Sequence, residues 1–263
     1  MIIAMALPPA RSDQTHLRVS IVMPVLNEAT TIEAALRRLR ADFADCELIV
    51  VDGGSTDGTA QLAQAWASVV RGPRGRARQM NEGARHTCGD VLWFVHADTV
   101  LDPAALGELR AALGDPDVVG GGLRLRFDAR SPALDYLAWI SNHRARRLHH
   151  IFGDQAMFVR RDVFDDLGGF PDLPLMEDLE LARRLHRRGR LVLLPATSTA
   201  SARRFTEHGT WAMIAFMQYL KVLYFAGVDP QFVHRRYTAG PPRVIAWTHR
   251  RGKAPARHRV PSS

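Results

Sequence analysis

The fold is decided by one stretch of sequence, Val91-Leu-Trp-Phe-Val-His-Ala-Asp-Thr99. It opens with five large apolar residues, which is typical of a strand covered on both faces, and open α/β sheets bind ligands beyond the carboxyl ends of such strands. His96 and Asp98 follow directly, and we expect them to share one face if the extended geometry persists. The stretch therefore predicts a buried strand with a site at its end.

Strands and helices alternate on both sides of this stretch. We predict strands at 19–25, 47–51, 68–71, 91–95 and 123–127, and helices at 30–40, 57–66 with Asp57 as N-cap, 77–86, 133–150, 177–186 and 211–228. Parallel pairing through right-handed crossovers should gather Pro24, Asp52 and Asp98 at one edge of the sheet. The fold class is therefore α/β, a single domain with a mostly parallel central sheet and a C-terminal helix.

Composition allows a sizeable core and places the excess charge at one end. The chain has 263 residues, 46% of them hydrophobic, and a formal charge of +8. Residues 240–263 contain six Lys or Arg and no acid, so subtracting six from +8 leaves +2 on residues 1–239. We predict a flexible basic tail on a nearly balanced body, and no specific nucleic acid as a partner. A nucleic-acid-binding protein driven by the tail is the non-enzymatic alternative.

The cysteines and apolar segments indicate the compartment. Cys46 and Cys88 lie in or beside apolar runs without metal-ligand spacing, so we expect buried, reduced thiols. The first ten residues lack the positive region of a secretory signal, and no run of 18 apolar residues occurs, which predicts a cytoplasmic protein. Residues 211–228 form either a helix packed on the core, which we favour, or a peripheral contact with the inner face of a membrane.

Two loops have the chemistry of nucleotide binding. In Val51-Asp-Gly-Gly-Ser-Thr-Asp-Gly-Thr59 the glycines permit close backbone approach, and Asp52 is placed to accept hydrogen bonds from a base or ribose. The string lacks the lysine of a phosphate loop and the glycine spacing of a dinucleotide fold. Arginines in the next loop, Arg76 and Arg78 above all, suit a diphosphate because guanidinium groups bind it bidentately.

Carboxylates at two further positions suit catalysis. Asp98 is a hard oxygen ligand for Mg²⁺ or Mn²⁺, and His96 either joins it or contacts ribose or water. Glu177 and Asp178 open a predicted helix behind Pro171 and Pro174, and a carboxylate presented there can act as general base toward a hydroxyl.

These motifs together resemble glycosyltransferase family 2. Ser20-Ile-Val-Met-Pro-Val-Leu-Asn-Glu28, Glu47 to Thr59, His96-Ala-Asp98, Gly168-Gly-Phe170 and Glu177-Asp178 match in order and spacing over roughly residues 18–200. The resemblance implies the GT-A fold, with a nucleotide-sugar half at 18–115, an acceptor half at 116–205 and a C-terminal helical segment at 206–239, after an extension at 1–17. It also implies inverting transfer of a sugar from a nucleotide-diphosphate sugar to an acceptor hydroxyl.

The resemblance assigns roles to individual residues. Asp178 matches the catalytic base, and Asp98 matches the last Asp of the DxD metal motif, with His96 as a second candidate ligand for Mg²⁺ or Mn²⁺. The residues matching donor contacts are Pro24, Asn27, Glu28, Asp52, Arg76, Arg78, His96 and Asp98. The acceptor side is matched by Gly153, Asp154, Gln155 and Glu177.

Two features depart from the family pattern or narrow it. His96 stands where the first Asp of DxD usually is, and the QxxRW motif of processive synthases is absent, which favours a single-transfer enzyme. His96-Ala-Asp98, Ser201-Ala-Arg-Arg-Phe205 and the turn at 227–230 also resemble a small bacterial subgroup named for arsenosugar biosynthesis. The alternative enzyme, a nucleotidyltransferase on a related scaffold, would usually show a basic glycine-rich loop after the first strand, and this chain has none there.

Overall fold

The computed structural model describes residues 17–241. The predicted extension at 1–17 and the tail at 240–263 lie outside these residues, apart from 17, 240 and 241. The strands are β1 Val19–Val25, β2 Glu47–Asp52, β3 Ser68–Arg71, β4 Val91–Phe94, β5 Thr99–Leu101, β6 Val118–Phe127, β7 Phe158–Arg160 and β8 Arg190–Ala200. The helices are α1 Ile32–Asp42, α2 Thr59–Ala63, α3 Arg76–Arg85, α4 Ala105–Ala112, α5 Pro132–Leu148, α6 Arg161–Asp166, α7 Glu177–His186, α8 Arg203–His208, α9 Thr210–Phe225 and α10 Pro230–Ala239, with a 3-10 turn at Gly153–Gln155.

A single mixed sheet organises the described chain, in the order β3-β2-β1-β4-β7-β6-β8-β5. The first four strands are parallel, as predicted for the nucleotide half, and β6 also runs parallel to β8. β7 is antiparallel to both β4 and β6, and β5 is antiparallel to β8. The α/β prediction is confirmed, and the antiparallel pairs form where β7 and β8, from the second half of the chain, join the sheet.

The sheet is covered on both faces, which explains the apolar runs in its strands. In β1 the residues Ile21 and Met23 pack in one core cluster with α1 and α4, whereas Val22 packs in the other with α3 and α7. β4 divides in the same way, and Trp93 is fully buried with its indole N–H donating to Ala156 O at 3.1 Å. That bond attaches the centre of the sheet to the turn that precedes β7.

Three sequence predictions about local structure need correction. α2 begins at Thr59, after Gly58 in the left-handed conformation at φ 89°, so Asp57 is not its N-cap, and the helix ends at Ala63 rather than Trp66. Cys88 is exposed, because it lies in the turn before β4 instead of in a strand. Cys46 is buried as predicted, and burial raises the pKa of its thiol to about 11.

Candidate active site at the carboxyl ends of the parallel strands

A buried glutamine joins the ends of the two strands that bear the nucleotide motifs. Gln79 of α3 donates from Nε2 to the carbonyl oxygens of Val25 and Val51, both at 2.8 Å. A Cβ on Gly53 would lie 2.9 Å from the Gln79 side chain, so the glycine lets the loop after β2 cross this amide. Sequence reasoning missed Gln79, because nothing in a helical repeat distinguishes a buried amide from an exposed one.

The loops after β1 and β2 are bonded to each other. Asn27, in the left-handed conformation at φ 56°, accepts from Thr56 N–H at 2.9 Å through its side-chain oxygen, and its own N–H donates to Ser55 Oγ at 2.9 Å. Glu28 N–H donates to Thr59 Oγ1 at 2.8 Å, and Ala29 N–H donates to Asp57 at 3.0 Å. Asp57 therefore joins the two loops, instead of acting as the predicted N-cap of α2.

Two further candidate residues lie at the inner side of these loops. Asp52 is buried and accepts from Ser55 N–H at 3.1 and 3.2 Å, so its carboxylate shapes the turn that follows β2. Pro24 is half-buried in β1 and pairs in register with Val51. Both lie at the carboxyl edge where the sequence places them, and their contact with a nucleotide stays a prediction.

His96 and Asp98 follow the end of β4 at Phe94. The extended geometry does not persist, since Thr99 N–H donates to His96 O at 3.2 Å and closes a turn. Asp98 is exposed, whereas the His96 ring lies against Gly153, where a Cβ would be 2.8 Å from His96 Cε1. Burial, together with the positive charge of Arg76, lowers the pKa of His96 to about 3. His96 is thus a neutral imidazole, and the extended geometry on which the expected shared face depended is not present.

Asp178 is positioned by two backbone donors. Its Oδ2 accepts from Gly153 N–H at 2.7 Å and its Oδ1 from Leu179 N–H at 2.7 Å. α7 starts immediately after Met176, which has φ 65°, a conformation that costs a non-glycine residue about 1–3 kcal/mol and persists only where the surroundings impose it. The side chain is half-buried, so the carboxylate is oriented and still accessible.

The acid beside it has a different environment. Glu177 is buried, and its Oε1 lies 3.6 Å from Arg76 NH1. Burial and the neighbouring Asp178 raise the pKa of Glu177 to about 7, against the opposing effect of Arg76. Arg78, by contrast, makes two 2.7 Å bonds to Asp172 in the exposed loop before α7. The structure therefore brings Arg76, and not Arg78, to the acidic pair.

The 3-10 turn beside Asp178 consists of Gly153, Asp154 and Gln155, whose side chains have different environments. Gln155 is fully buried and bonds to Phe152 N–H and Leu123 O, so it supports the turn from beneath. Asp154 has a buried Oδ1 without a hydrogen-bond partner. Burial raises the pKa of Asp154, as does Asp178, while Arg144 opposes the rise.

Two cations near this turn were not predicted. Arg144 of α5 and Lys221 of α9 lie over the ring of Phe152, with Arg144 Cζ at 4.2 Å and Lys221 Nζ at 5.1 Å from its centre. Burial first, and then the charge of Arg144, lower the pKa of Lys221 to about 8. The sequence signal of Lys221 was a basic residue in an otherwise apolar helix, whereas Arg144 is one of several basic residues at the end of α5 and carried no signal of its own.

The residues at this edge of the sheet fit a divalent cation that takes some of its ligands from the protein and the others from a substrate. Asp98 supplies an exposed carboxylate and His96 a neutral ring nitrogen, but residues 17–241 contain no group of three or more His, Cys, Asp or Glu able to hold a metal. Mg²⁺ usually binds through one or two carboxylates, waters and substrate phosphates. The donor set therefore suits a phosphate-bound cation better than an all-protein cage.

Comparison with known families decides the relationship. A family model described as glycosyl transferase family 2 matches residues 20–168, which is more than half of the chain. This chain is a member of glycosyl transferase family 2. The resemblance predicted from the motifs is thereby confirmed at the level of the family, and the matched range contains the donor loops, His96, Asp98 and the Gly153 turn.

Family 2 relatives with curated names match part of this chain. Glycosyltransferase AglE of Haloferax volcanii is 25% identical over 170 residues, covering 59% of this chain and 56% of that protein. A PGL/p-HBAD biosynthesis glycosyltransferase of Mycobacterium bovis is 32% identical over 174 residues, covering 57% and 62%. The chain thus spans about three-fifths of the length of these relatives.

Solved structures share the fold of this family 2 chain. Mannosyltransferase PcManGT from Pyrobaculum calidifontis, in complex with GDP-Man and Mn²⁺, is 19% identical with a TM-score of 0.58, covering 84% of this chain and 68% of that one. Glucosyl-3-phosphoglycerate synthase from Mycobacterium tuberculosis, in complex with Mn²⁺, UDP and glucosyl-3-phosphoglycerate, is 19% identical with a TM-score of 0.60, covering 86% and 88%. The predicted GT-A fold is confirmed.

Proposed function

We propose that this family 2 protein transfers a single sugar, with inversion, from a nucleotide-diphosphate sugar to an acceptor hydroxyl. The observation that carries the proposal is the position of Asp178, which is held by Gly153 N–H beside His96, at the edge where the donor loops end. The named activities of the relatives support the same reaction class. Membership of the arsenosugar-associated subgroup stays a prediction within this proposal.

Different residues of the site act on the acceptor hydroxyl, on the nucleoside and on the local charge. Asp178 takes the proton as the acceptor oxygen forms its bond to the anomeric carbon and the bond from that carbon to the diphosphate oxygen breaks. A positioned base contributes on the order of 10² to 10⁴ in rate. The loops after β1 and β2 hold the nucleoside, and Arg76 balances negative charge near the acidic pair.

A divalent cation, Mg²⁺ or Mn²⁺, is part of the proposal. Asp98 would hold it, with His96 as the second candidate ligand, and when bound it supplies charge stabilisation for the departing nucleoside diphosphate. The exposed Asp98 carboxylate supports this assignment, and the two fold neighbours described above were solved in complex with Mn²⁺.

The test is a panel of nucleotide-sugars with Mg²⁺ or Mn²⁺, scored for hydrolysis and for protection against thermal unfolding. We expect one donor class to raise Tm in a cation-dependent manner, because binding to the folded state alone stabilises it. Absence of cation-dependent stabilisation by every donor would contradict the proposal.

Peripheral contact with a membrane through residues 211–228 completes the proposal. The exposed residues of α9 are all apolar or aromatic: Trp211, Ala215, Tyr219, Val222 and Phe225. The ring of Tyr136, on α5, lies 6.0 Å from that of Trp211 and 6.2 Å from that of Trp139, which is 62% exposed. Exposed Arg146 and Arg147 follow on the same face of α5. Aromatic and basic groups together favour an anionic lipid surface.

No helix within residues 17–241 has both the length and the hydrophobicity to cross a bilayer, so the contact would be interfacial. We expect co-sedimentation with vesicles containing phosphatidylglycerol but not with pure phosphatidylcholine vesicles. The triple variant Trp211→Gln, Val222→Gln, Phe225→Gln should lose it, and Leu62→Gln, at an exposed apolar residue of α2, should keep it. Concentration-dependent dimerisation through this face, without vesicle binding, would contradict the proposal.

A further inference from the structure

A pair of partly buried cations lies on the acceptor side without a bonded counter-ion. Arg144 and Lys221 come from different helices, α5 and α9, and meet over Phe152, the residue before Gly153. Within the described residues neither forms an ion pair of 4 Å or less. Arg144 makes a single 3.4 Å bond from Nε to His150 O, so most of its donors are unused.

The surrounding acids do not neutralise this pair directly. Asp178 is engaged by the backbone N–H groups of Gly153 and Leu179, and the buried Oδ1 of Asp154 has no hydrogen-bond partner. Burial lowers the pKa of both cations, and Arg144 lowers the pKa of Lys221 further, while Asp154 and Asp178 oppose these shifts from beyond ion-pair distance. Taking a cation out of water costs several kcal/mol unless an anion with good geometry compensates. An oxyanion between them would supply that compensation.

The geometry of the two groups fits a phosphate better than a single carboxylate. Arginine offers a planar fork for two oxygens, and lysine adds a point charge that reaches a third. Phe152 lies beneath both side chains, 4.2 and 5.1 Å from the charged groups, and limits where they can move. A phosphate bound by the two cations would therefore be held at a defined position relative to Gly153 and Asp178.

We propose that Arg144 and Lys221 form a subsite for a phosphate group carried by the acceptor. This inference rests on the proposed transferase function and names the acceptor class, a phosphorylated alcohol whose hydroxyl reaches Asp178. The donor diphosphate is the competing source of a phosphate at this position.

The experiment measures Tm against glycerol 3-phosphate, with glycerol and sodium chloride at matched ionic strength as references. Titrations are made with and without saturating nucleoside diphosphate and Mg²⁺. We expect a phosphate-specific rise in Tm that persists with the nucleotide present. Lys221→Met and Arg144→Met should each raise the half-effective concentration at least tenfold. Lys221→Arg should restore most of the effect, and Arg147→Met, an exposed cation one turn from Arg144, should leave it unchanged.

Three outcomes would overturn the subsite. They are the absence of a phosphate-specific shift, loss of the shift when the nucleoside diphosphate is added, and an equal loss in Arg147→Met. Nucleotide-sugar protection is measured on the same variants, and we expect it within twofold of the parent in Lys221→Met. A parent protein that no nucleotide-sugar protects would remove the proposed function itself, which distinguishes that failure from a failure of the subsite.

Discussion

Gly153 N–H donates to Oδ2 of Asp178 at 2.7 Å, which ties the turn before β7 to the first turn of α7. Leu179 N–H occupies the other carboxylate oxygen at the same distance. Each oxygen retains a further acceptor position, so the carboxylate is oriented by the backbone and can still receive a proton. The carboxylate is therefore oriented before substrate arrives.

Asp178→Asn should abolish transfer and leave nucleotide binding intact. The amide oxygen can accept from only one of the two backbone N–H groups that orient the carboxylate, and an amide cannot take the acceptor proton. We expect turnover to fall by about 10² to 10⁴, with nucleotide-sugar protection within twofold of the parent. Turnover is measured as nucleoside diphosphate release, and Glu180→Gln on the same helix is the control. Retained turnover in Asp178→Asn would contradict the assignment of the base.

Gly153→Ala should disturb His96 and Asp178 together. The added Cβ would lie 2.8 Å from His96 Cε1 and 3.5 Å from Asp178 Oδ2, so the imidazole must move. Misplacement by about 1 Å can cost on the order of 10² in rate, and overpacking typically about 1–3 kcal/mol in stability. Gly107→Ala, in α4 with open space around its Cβ, is the matched control and should raise Tm. Full activity in Gly153→Ala would contradict the prediction.

Glu177 should make stability depend on pH. Its pKa is raised from 4.5 to about 7, so its contribution is greatest below pH 4.5 and is lost as the pH rises through 7. The loss amounts to about 3 kcal/mol at most. Denaturant titrations at pH 5 and pH 8 should show that the parent loses more stability than Glu177→Gln over this interval. Identical pH dependence of the two proteins would show that Glu177 is not responsible.

Gln79→Leu should weaken the connection between the ends of β1 and β2, where the donor loops begin. The substitution removes both hydrogen bonds that join the carbonyls of Val25 and Val51, although Val25 O still accepts from Gly53 N–H at 3.0 Å, and each lost bond costs about 0.5–1.5 kcal/mol. We expect a lower free energy of unfolding and a weaker nucleotide affinity, both measured by titration. Gln64→Leu, at an exposed position after α2, should change neither. Unchanged nucleotide affinity in Gln79→Leu would mean that the joined strand ends do not shape the donor loops.

Chelation should show that turnover needs a divalent cation. We expect EDTA to remove turnover and excess Mn²⁺ to restore it. Asp98→Asn should raise the Mn²⁺ concentration for half-maximal turnover at least tenfold, because its carboxylate is the exposed hard ligand at this edge. Asp102→Asn, in the turn before α4, serves as control. An Asp98→Asn protein with the parent's Mn²⁺ dependence would exclude Asp98 as a ligand.

The sequence by itself determined the parallel half of the sheet, the family, and the strand ends where the donor loops lie. It did so because period-2 and period-3.6 apolar patterns and glycine-bearing loops are local properties of the chain. The run from Val91 to Val95 predicted a buried central strand, and β4 is fully buried. The same local reasoning failed at His96, since a turn that closes through Thr99 N–H leaves no trace in the apolar pattern.

Only the tertiary structure decided which polar groups meet. Arg76 and Arg78 are two residues apart, yet Arg76 faces Glu177 and Arg78 bonds to Asp172. Residues i and i+2 of an α-helix point to nearly opposite sides of the helix. Lys221 is separated from Arg144 by more than seventy residues, and packing of α9 beside α5 brings both to Phe152. The pKa values of Glu177 and Lys221 depend on burial and on charges brought close by folding. Neither burial nor these contacts can be read from the sequence alone.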